Sequence, residues 1–385
     1  MANILSLSSA TRHPIRNGDS LRVFGLMEGL RLHGHHCHSV GNNFIESNNG
    51  EIKPLGSTSN RSGKYPAIIL AWLKRQHYLE IRHCPRRWMQ RAITSIKDNS
   101  CEIVYCHFLY TFRSIRNALG EKKLVIDTHN SEWNWYQLLR DSTRNPIARS
   151  VCDISIRRAS EMMKILPADT LMVHVSDSDA ADYRRYRPDI EHMVVPNGSN
   201  AFPRLDFPNY RDPRKKLLFV GSLGQKMNLD ALLHFHQTFW PKLQDVCSVV
   251  VAGSNPSSSM RKLIIAAGWE LRENLSDLGL ARAFEEAHFS ILPFQYGAGS
   301  KLKFFEAIAK GVPILSTIAG ACGQKSPPAF SVVSDDPNIW RKAIISQQSL
   351  PDEWRQISEE WAIDYRWKNL TEPLAKRLHT MVIKS

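Results

Sequence analysis

The sequence predicts an α/β protein of two domains, each a parallel sheet flanked by helices. Three observations predict it. The chain has 385 residues, enough for two cores, and 43% hydrophobic against 23% charged residues is a globular balance. Short apolar runs of strand composition alternate with stretches of helical periodicity along its length, the order that builds parallel sheets with helical crossovers. The same opening of strand, glycine-bearing loop and helix occurs near residue 3 and again near residue 215, with a stretch rich in Pro, Asn and Asp at 199–213 between them. No repeat of solenoid period is present.

In the first half, strands are expected at 3–8 and 37–40 around a helix at 20–32, with Gly34 as its C-cap. Residues 42–66 are rich in Asn, Ser and Gly and read as a mobile loop with at most a short strand near Ile52. Residues 67–92 interleave Trp72, Tyr78 and Trp88 with Lys74, Arg75, Arg82, Arg86, Arg87 and Arg91, and Pro85 is expected to split them into two helices. Such a pair could lie on anionic lipid, or be a partly buried helix with solvated arginines. Strands follow at 102–107 and 123–127, a basic helix at 145–164, a strand at 171–176, a helix at 177–187 and a last strand at 192–195.

The second half starts with a strand from Lys215 ending in Gly221, a helix at 228–239, and strands at 247–252 and 269–273. The most informative stretch is 289–317. An apolar strand at 289–293 leads into a loop with Gly297 and Gly299, then a helix with Ser300 as N-cap and Leu302, Phe305 and Ile308 at helical spacing, stopped by Gly311 and Pro313. A strand, glycine loop and helix N-terminus present unpaired N–H groups and a positive dipole end to an anion. Lys301 and Lys303 add charge there, and Glu306 lies almost two turns on, where a carboxylate could meet sugar hydroxyls. By spacing alone these could equally be solvated surface charges.

The formal net charge is +13, which favours nucleotides, nucleic acid or an anionic membrane as partners. Seven cysteines without a framework spacing suit reduced thiols. No apolar run reaches a spanning length, and MANILSLSS lacks the basic region and cleavage site of a signal peptide, so the expected location is cytoplasmic or peripheral on the inner face of a membrane. His33, His35, His36 and His38 straddle a helix end and a strand start, which scatters their rings, so no metal site is expected.

The segment GAGSKLKFFEAIAKGVPILST at 297–317 resembles the donor-binding segment of retaining GT-B glycosyltransferases of the large family 4, the glycosyl transferases group 1. Further segments are similar to the same family: Asn17-Gly18-Asp19 with Arg22, the run Asp127 to Glu132 (DTHNSE), Val-Pro-Asn-Gly ending at Gly198, and Leu218 to Leu223 (LFVGSL) with Asn228, Asp230 and Ala231. The resemblance implies two Rossmann-like domains facing a cleft: 1–200 for the acceptor, 214–360 for a nucleotide sugar, and a C-terminal helix, 361–385, that returns to the first domain.

It implies donor contacts from Gly221, Ser222, Lys226, Gly297, Ala298, Gly299, Ser300, Lys301, Leu302 and Glu306, catalytic roles for His129, Lys303 and Glu306, and acceptor-side places for Gly18, Arg22, His107 and Glu132. The implied reaction moves a sugar from a nucleotide diphosphate sugar to a saccharide, lipid-linked saccharide, peptide or small molecule, with retention and without a metal or other cofactor, in bacterial glycan or glycoconjugate biosynthesis. The chain departs from the family where Arg usually follows the glycine, here Ser222, where Lys226 stands one place early, and where an acidic residue is replaced by Ala298. Those departures motivate an alternative, a catalytically silent nucleotide-binding scaffold. A sugar-nucleotide epimerase and a nucleic-acid binder rank lower, and no nucleic-acid module is legible.

Overall fold

A computed structural model describes residues 1–9, 18–55, 64–98, 100–201, 208–209, 211, 213–296, 301–322, 328–347, 350 and 352–383. The chain divides into two compact units, Met1–Pro196 with Trp367–Ser385, and Asn197–Arg366.

The first unit runs β1 (Asn3–Leu7), α1 (Gly18–Leu32), β2 (His36–Val40), β3 (Phe44–Glu46), β4 (Ile52–Pro54), α2 (Lys64–Lys74), α3 (Tyr78–His83), α4 (Arg86–Asp98), β5 (Ile103–His107), α5 (Leu109–Ile115), β6 (Lys123–Thr128), α6 (Glu132–Ser142), α7 (Pro146–Lys164), β7 (Leu171–His174), α8 (Asp177–Arg184) and β8 (Glu191–Val194). The sheet order is β4-β3-β2-β1-β5-β6-β7-β8. Pairing is parallel except for β2–β3 and β3–β4. β5 reads IVYCH and is buried throughout, as a strand covered by helices on both faces must be. Leu5, Leu7, Val104, Ile126, Met172 and Trp88 share one core.

Two expectations are corrected here. Residues 42–66 were expected to hold at most one strand, but β3 and β4 form an antiparallel ladder, Phe44↔Pro54 to Glu46↔Ile52, with Gly50 at φ 82 in the turn. Residues 67–92 lie in three helices rather than two, because Arg75 adopts φ 48 and ends α2 before Pro85 is reached. Of the aromatic residues there, Trp88 is fully buried, and its indole N–H donates to the Ser8 carbonyl at 2.9 Å.

The second unit runs β9 (Lys215–Ser222), α9 (Lys226–His234), a π-type turn at Phe235–Phe239, α10 (Trp240–Leu243), β10 (Cys247–Ser254), α11 (Ser258–Ala266), β11 (Glu270–Glu273), α12 (Asp277–Glu286), β12 (Phe289–Leu292), α13 (Leu302–Ala309), β13 (Ile314–Ser316), β14 (Val332–Val333), α14 (Pro337–Ser346) and α15 (Asp352–Asp364). Its sheet, β11-β10-β9-β12-β13-β14, is parallel in every pair. Phe219, Val251, Phe289, Ile291, Trp340 and Trp354 are in its core.

The last helix, α16 (Trp367–Ile383), belongs to the first unit and packs on α1. Glycine makes that packing possible. A Cβ on Gly25 would fall 2.1 Å from the Trp367 ring, and one on Gly29 would fall 2.4 Å from Thr371 Oγ1.

Candidate functional site

In α/β sheets ligands gather beyond the C-terminal ends of the strands. In the first unit β5 ends at His107 and β6 runs into His129, and both rings converge on Asp127. Asp127 Oδ2 lies 3.1 Å from His107 Nδ1 and 3.1 Å from His129 Nε2. Arg22, 1% exposed on α1, donates through Nη2 to Asp127 Oδ1 at 2.6 Å and through Nη1 to the Val195 carbonyl at 2.9 Å. The second nitrogen of His107 meets Ser6 Oγ at 3.2 Å, and His129 Nδ1 meets the exposed Asp19 at 3.3 Å.

These contacts set the charges. Burial holds His107 down to about 4, against the pull of Asp127, so it is neutral and carries its proton on Nδ1 toward the carboxylate. For Asp127, burial works to raise the pKa, but Arg22 and the two histidines hold it well below the usual carboxylate range. Burial also opposes charging of His129, yet Asp127 outweighs it and lifts the imidazole above its ordinary value. His129 therefore holds its proton more tightly than a free imidazole does, and its ring stacks on Phe108 with centroids 3.9 Å apart. Phe108 adopts φ 72, a strained backbone for an aromatic residue, to place its ring there.

His107, Asp127 and His129 also offer one ligand atom each within 4.8 Å of one another, and they are the one such group of three among the described residues. Arg22 already supplies that carboxylate with a buried cation, so a metal ion would contend with a guanidinium. The four histidines at 33–38 do not converge: His35 is spent between the Ala2 amide and the Ala375 carbonyl.

In the second unit the ends of β9 and β10 lie in register, Gly221↔Gly253. Lys303, on the first turn of α13, extends to this point. Its Nζ donates to Asn228 Oδ1 at 3.0 Å and sits 4.7 Å from the centroid of Phe219 and 4.9 Å from that of Phe294. Asn228 is itself fixed by donating to the Ser222 carbonyl at 2.8 Å. A Cβ on Gly221 would stand 2.9 Å from Lys303 Nζ, so glycine is what lets the ammonium reach the strand end. Burial first, and then the charge of Lys301, lowers the Lys303 pKa to about 7, with Glu306 opposing. Burial raises the Glu306 pKa, opposed by Lys310 and Lys303. Among the described residues neither Lys303 nor Glu306 has an ion-pair partner.

Several sequence expectations take a definite place. Lys226 opens α9 and is spent on Asp230 at 2.5 Å, and Asp230 also accepts from the Tyr296 hydroxyl. Ser222 is half-buried at the end of β9. Gly297, Ala298, Gly299 and Ser300 lie outside the described residues. α13 begins at Leu302 with Lys301 in the N-cap position and no side-chain cap. Gly18 is exposed as the first residue of α1. Arg22 is an internal strut rather than a surface contact group, and Glu132, 4% exposed, is directed inward to His77 at 2.9 Å. Asp19, Asp127, Asn228, Phe219 and Phe294 complete the two clusters but were not singled out from the sequence as site residues. For Asn228 the available signal was its place in the first turn after the glycine strand.

Residues 214–347 match the family model described as Glycosyl transferases group 1. No curated protein sequence matches the chain. Solved structures match it along its length at low identity. A sucrose-phosphate synthase from Thermosynechococcus elongatus has 13% identity and a TM-score of 0.70, covering 100% of both chains. The catalytic domain of Starch Synthase IV from Arabidopsis thaliana, bound to ADP and acarbose, has 11% identity and a TM-score of 0.63 over 100% of this chain and 99% of that one. WaaG, a glycosyltransferase involved in lipopolysaccharide biosynthesis, has 14% identity and a TM-score of 0.61 over 97% and 99%. At such identities the likeness shows the fold, two parallel-sheet domains of the GT-B kind.

Proposed function

Because residues 214–347 match the glycosyl transferases group 1 model and the chain has a GT-B fold, we propose that the protein is a retaining glycosyltransferase using a nucleotide diphosphate sugar. The observation that carries this reading is the pair Lys303 and Glu306, two half-buried residues of opposite charge without ion-pair partners among the described residues, on helix α13. Two aromatic rings keep water from the ammonium and leave it poorly solvated until an anion arrives.

The chemistry follows from charge. As the bond from the sugar to the diphosphate breaks, negative charge grows on phosphate and positive charge on the sugar. Fixed donors aimed at the phosphate then lower the barrier most. In this reading Lys303, Lys301 and backbone N–H groups near Gly221 meet that charge without a metal, and Glu306 holds the ribose hydroxyls. His129 contacts the transferred sugar or the acceptor, and its imidazole suits a hydroxyl-bearing group. The acceptor is a saccharide, lipid-linked saccharide, peptide or small molecule. The basic helices of 67–92 favour a lipid-linked one made in bacterial glycan biosynthesis at the inner face of a membrane.

Turnover tests this directly. Incubation with UDP-, GDP-, ADP- and TDP-sugars should release nucleoside diphosphate slowly from one of them with water as acceptor. Lys303→Ala should lose about a hundredfold or more of that rate. Proton NMR of the first-formed sugar reports retention or inversion. A second reading, a silent nucleotide-binding protein, is favoured by Ser222 in place of the family's arginine and by Lys226 being held on Asp230. It becomes the better account if one nucleotide binds but no nucleotide sugar turns over.

A further inference from the structure

Helix α2 is built inside out. Four of its large apolar residues, Tyr65, Ile69, Trp72 and Leu73, are 78%, 50%, 43% and 65% exposed, while Ile68 and Leu70 are half-buried and Ala67 and Ala71 are its buried residues. The exposed four fall at i, i+4, i+7 and i+8, one face of the helix, and no other helix among the described residues shows four such side chains. Small residues on the inner side let α2 lie close on α7 and α3, its neighbours in the fold. A helix serving only the core would be oriented the other way. An outward apolar stripe of this kind marks a surface that is covered when the protein works.

The charge around the stripe selects what covers it. α2 carries no acidic residue and its stripe ends at the exposed Lys74 and Arg75, neither of which has a carboxylate partner among the described residues. Between positions 64 and 98 there are eight Lys and Arg against two acidic residues. A second copy docking through the same face would bring two such cationic ends together with no acid to offset them. The face is also small: an 11-residue helix is about 16 Å long, short of what a stable dimer interface covers. An anionic bilayer answers both features, because apolar side chains enter the acyl boundary while Lys and Arg remain with the headgroups.

We propose that α2 docks the first unit flat on an anionic membrane through Tyr65, Ile69, Trp72 and Leu73, with Lys74 and Arg75 on lipid phosphates. This names the surface for the membrane-borne acceptor read above, and vesicle binding is measured without any nucleotide, so the two readings fail separately. The arginines Arg82, Arg86 and Arg87 add attraction at a distance but are not the anchor. At 11 residues α2 lies in the interface and does not cross it.

Co-sedimentation with phosphatidylcholine vesicles, alone and mixed with phosphatidylglycerol, tests the proposal. The wild-type chain should bind the mixed vesicles, and bind less as salt rises. Trp72→Ser/Leu73→Ser should weaken binding roughly tenfold or more, and Lys74→Glu/Arg75→Glu should remove the preference for anionic lipid. Trp72→Phe/Leu73→Ile should bind like wild type, which separates loss of the apolar face from loss of fold. Wild-type protein left in the supernatant, or the serine variant binding as well as wild type, would overturn the proposal. So would a dimer in sedimentation velocity that the serine variant dissolves without any vesicle binding.

Discussion

Lys303 is a lysine whose charge is in play near neutrality. Its folded pKa is about 7, below the ~10.4 of an unfolded lysine, so between those values the unfolded chain holds the extra proton. Stability from this group therefore rises with pH across that window, and Lys303→Met should flatten the rise, which urea midpoints at neutral and alkaline pH would measure. A diphosphate favours the ammonium. Nucleotide binding just above neutral pH should take up a proton, seen as a calorimetric heat that scales with buffer ionisation enthalpy; the Met variant should show no such uptake. Arg22 is the opposite case, a cation locked in place. Arg22→Met leaves the Asp127 carboxylate short of a buried partner and should cost about 3–5 kcal/mol in chemical unfolding. Of these residues, Lys303 and Glu306 were legible because a short motif places them one turn apart on one helix. The contacts of Asn228, Phe219 and Phe294 with Lys303 were not, because they depend on segments far apart in sequence closing on the same point. Arg22 was legible as important but not as buried, since its partner Asp127 is 105 residues away.

At the scale of elements, two glycines paired across the ends of β9 and β10 should behave differently. A Cβ on Gly221 would press on two side chains, Lys303 Nζ at 2.9 Å and Asn228 Nδ2 at 3.0 Å, and on no backbone, so Gly221→Ala should fold but bind nucleotide roughly tenfold more weakly, about 1.4 kcal/mol. A Cβ on Gly253 would fall 1.8 Å from the Gly221 carbonyl oxygen, where only backbone could move. Gly253→Ala should therefore lower stability itself, by roughly 2–4 kcal/mol, read from the same unfolding curves. The parallel strands from β5 to β8 and from β9 to β13 were legible because apolar runs of strand composition recur at each of them, whereas helices α11 and α12 were not read from the sequence. The β3–β4 ladder was not, because strands of three residues flanked by polar ones carry no alternation to read. The end of α2 was also missed. Arg75 enters a left-handed conformation with no glycine to announce it.

At the scale of the molecule, the chain returns to its first unit at Trp367, after a break at Tyr365 and Arg366 that separates α15 from α16 without a proline or glycine. Removing 367–385 would empty the groove that Gly25 and Gly29 open on α1. The shortened chain should unfold earlier in the part that holds Trp88 and Asp127, while a nucleotide should still protect the unit that holds Lys303. The central claim is that this second unit binds a nucleoside diphosphate through Lys303 and Glu306. Thermal unfolding with saturating UDP, GDP, ADP or TDP tests it most directly, since ligand at a hundred times its Kd adds about 2.7 kcal/mol. The account predicts an upward shift of several degrees with one of the four, lost in Lys303→Ala and reduced in Glu306→Ala. No shift with any nucleotide, or the same shift in both variants, would contradict it.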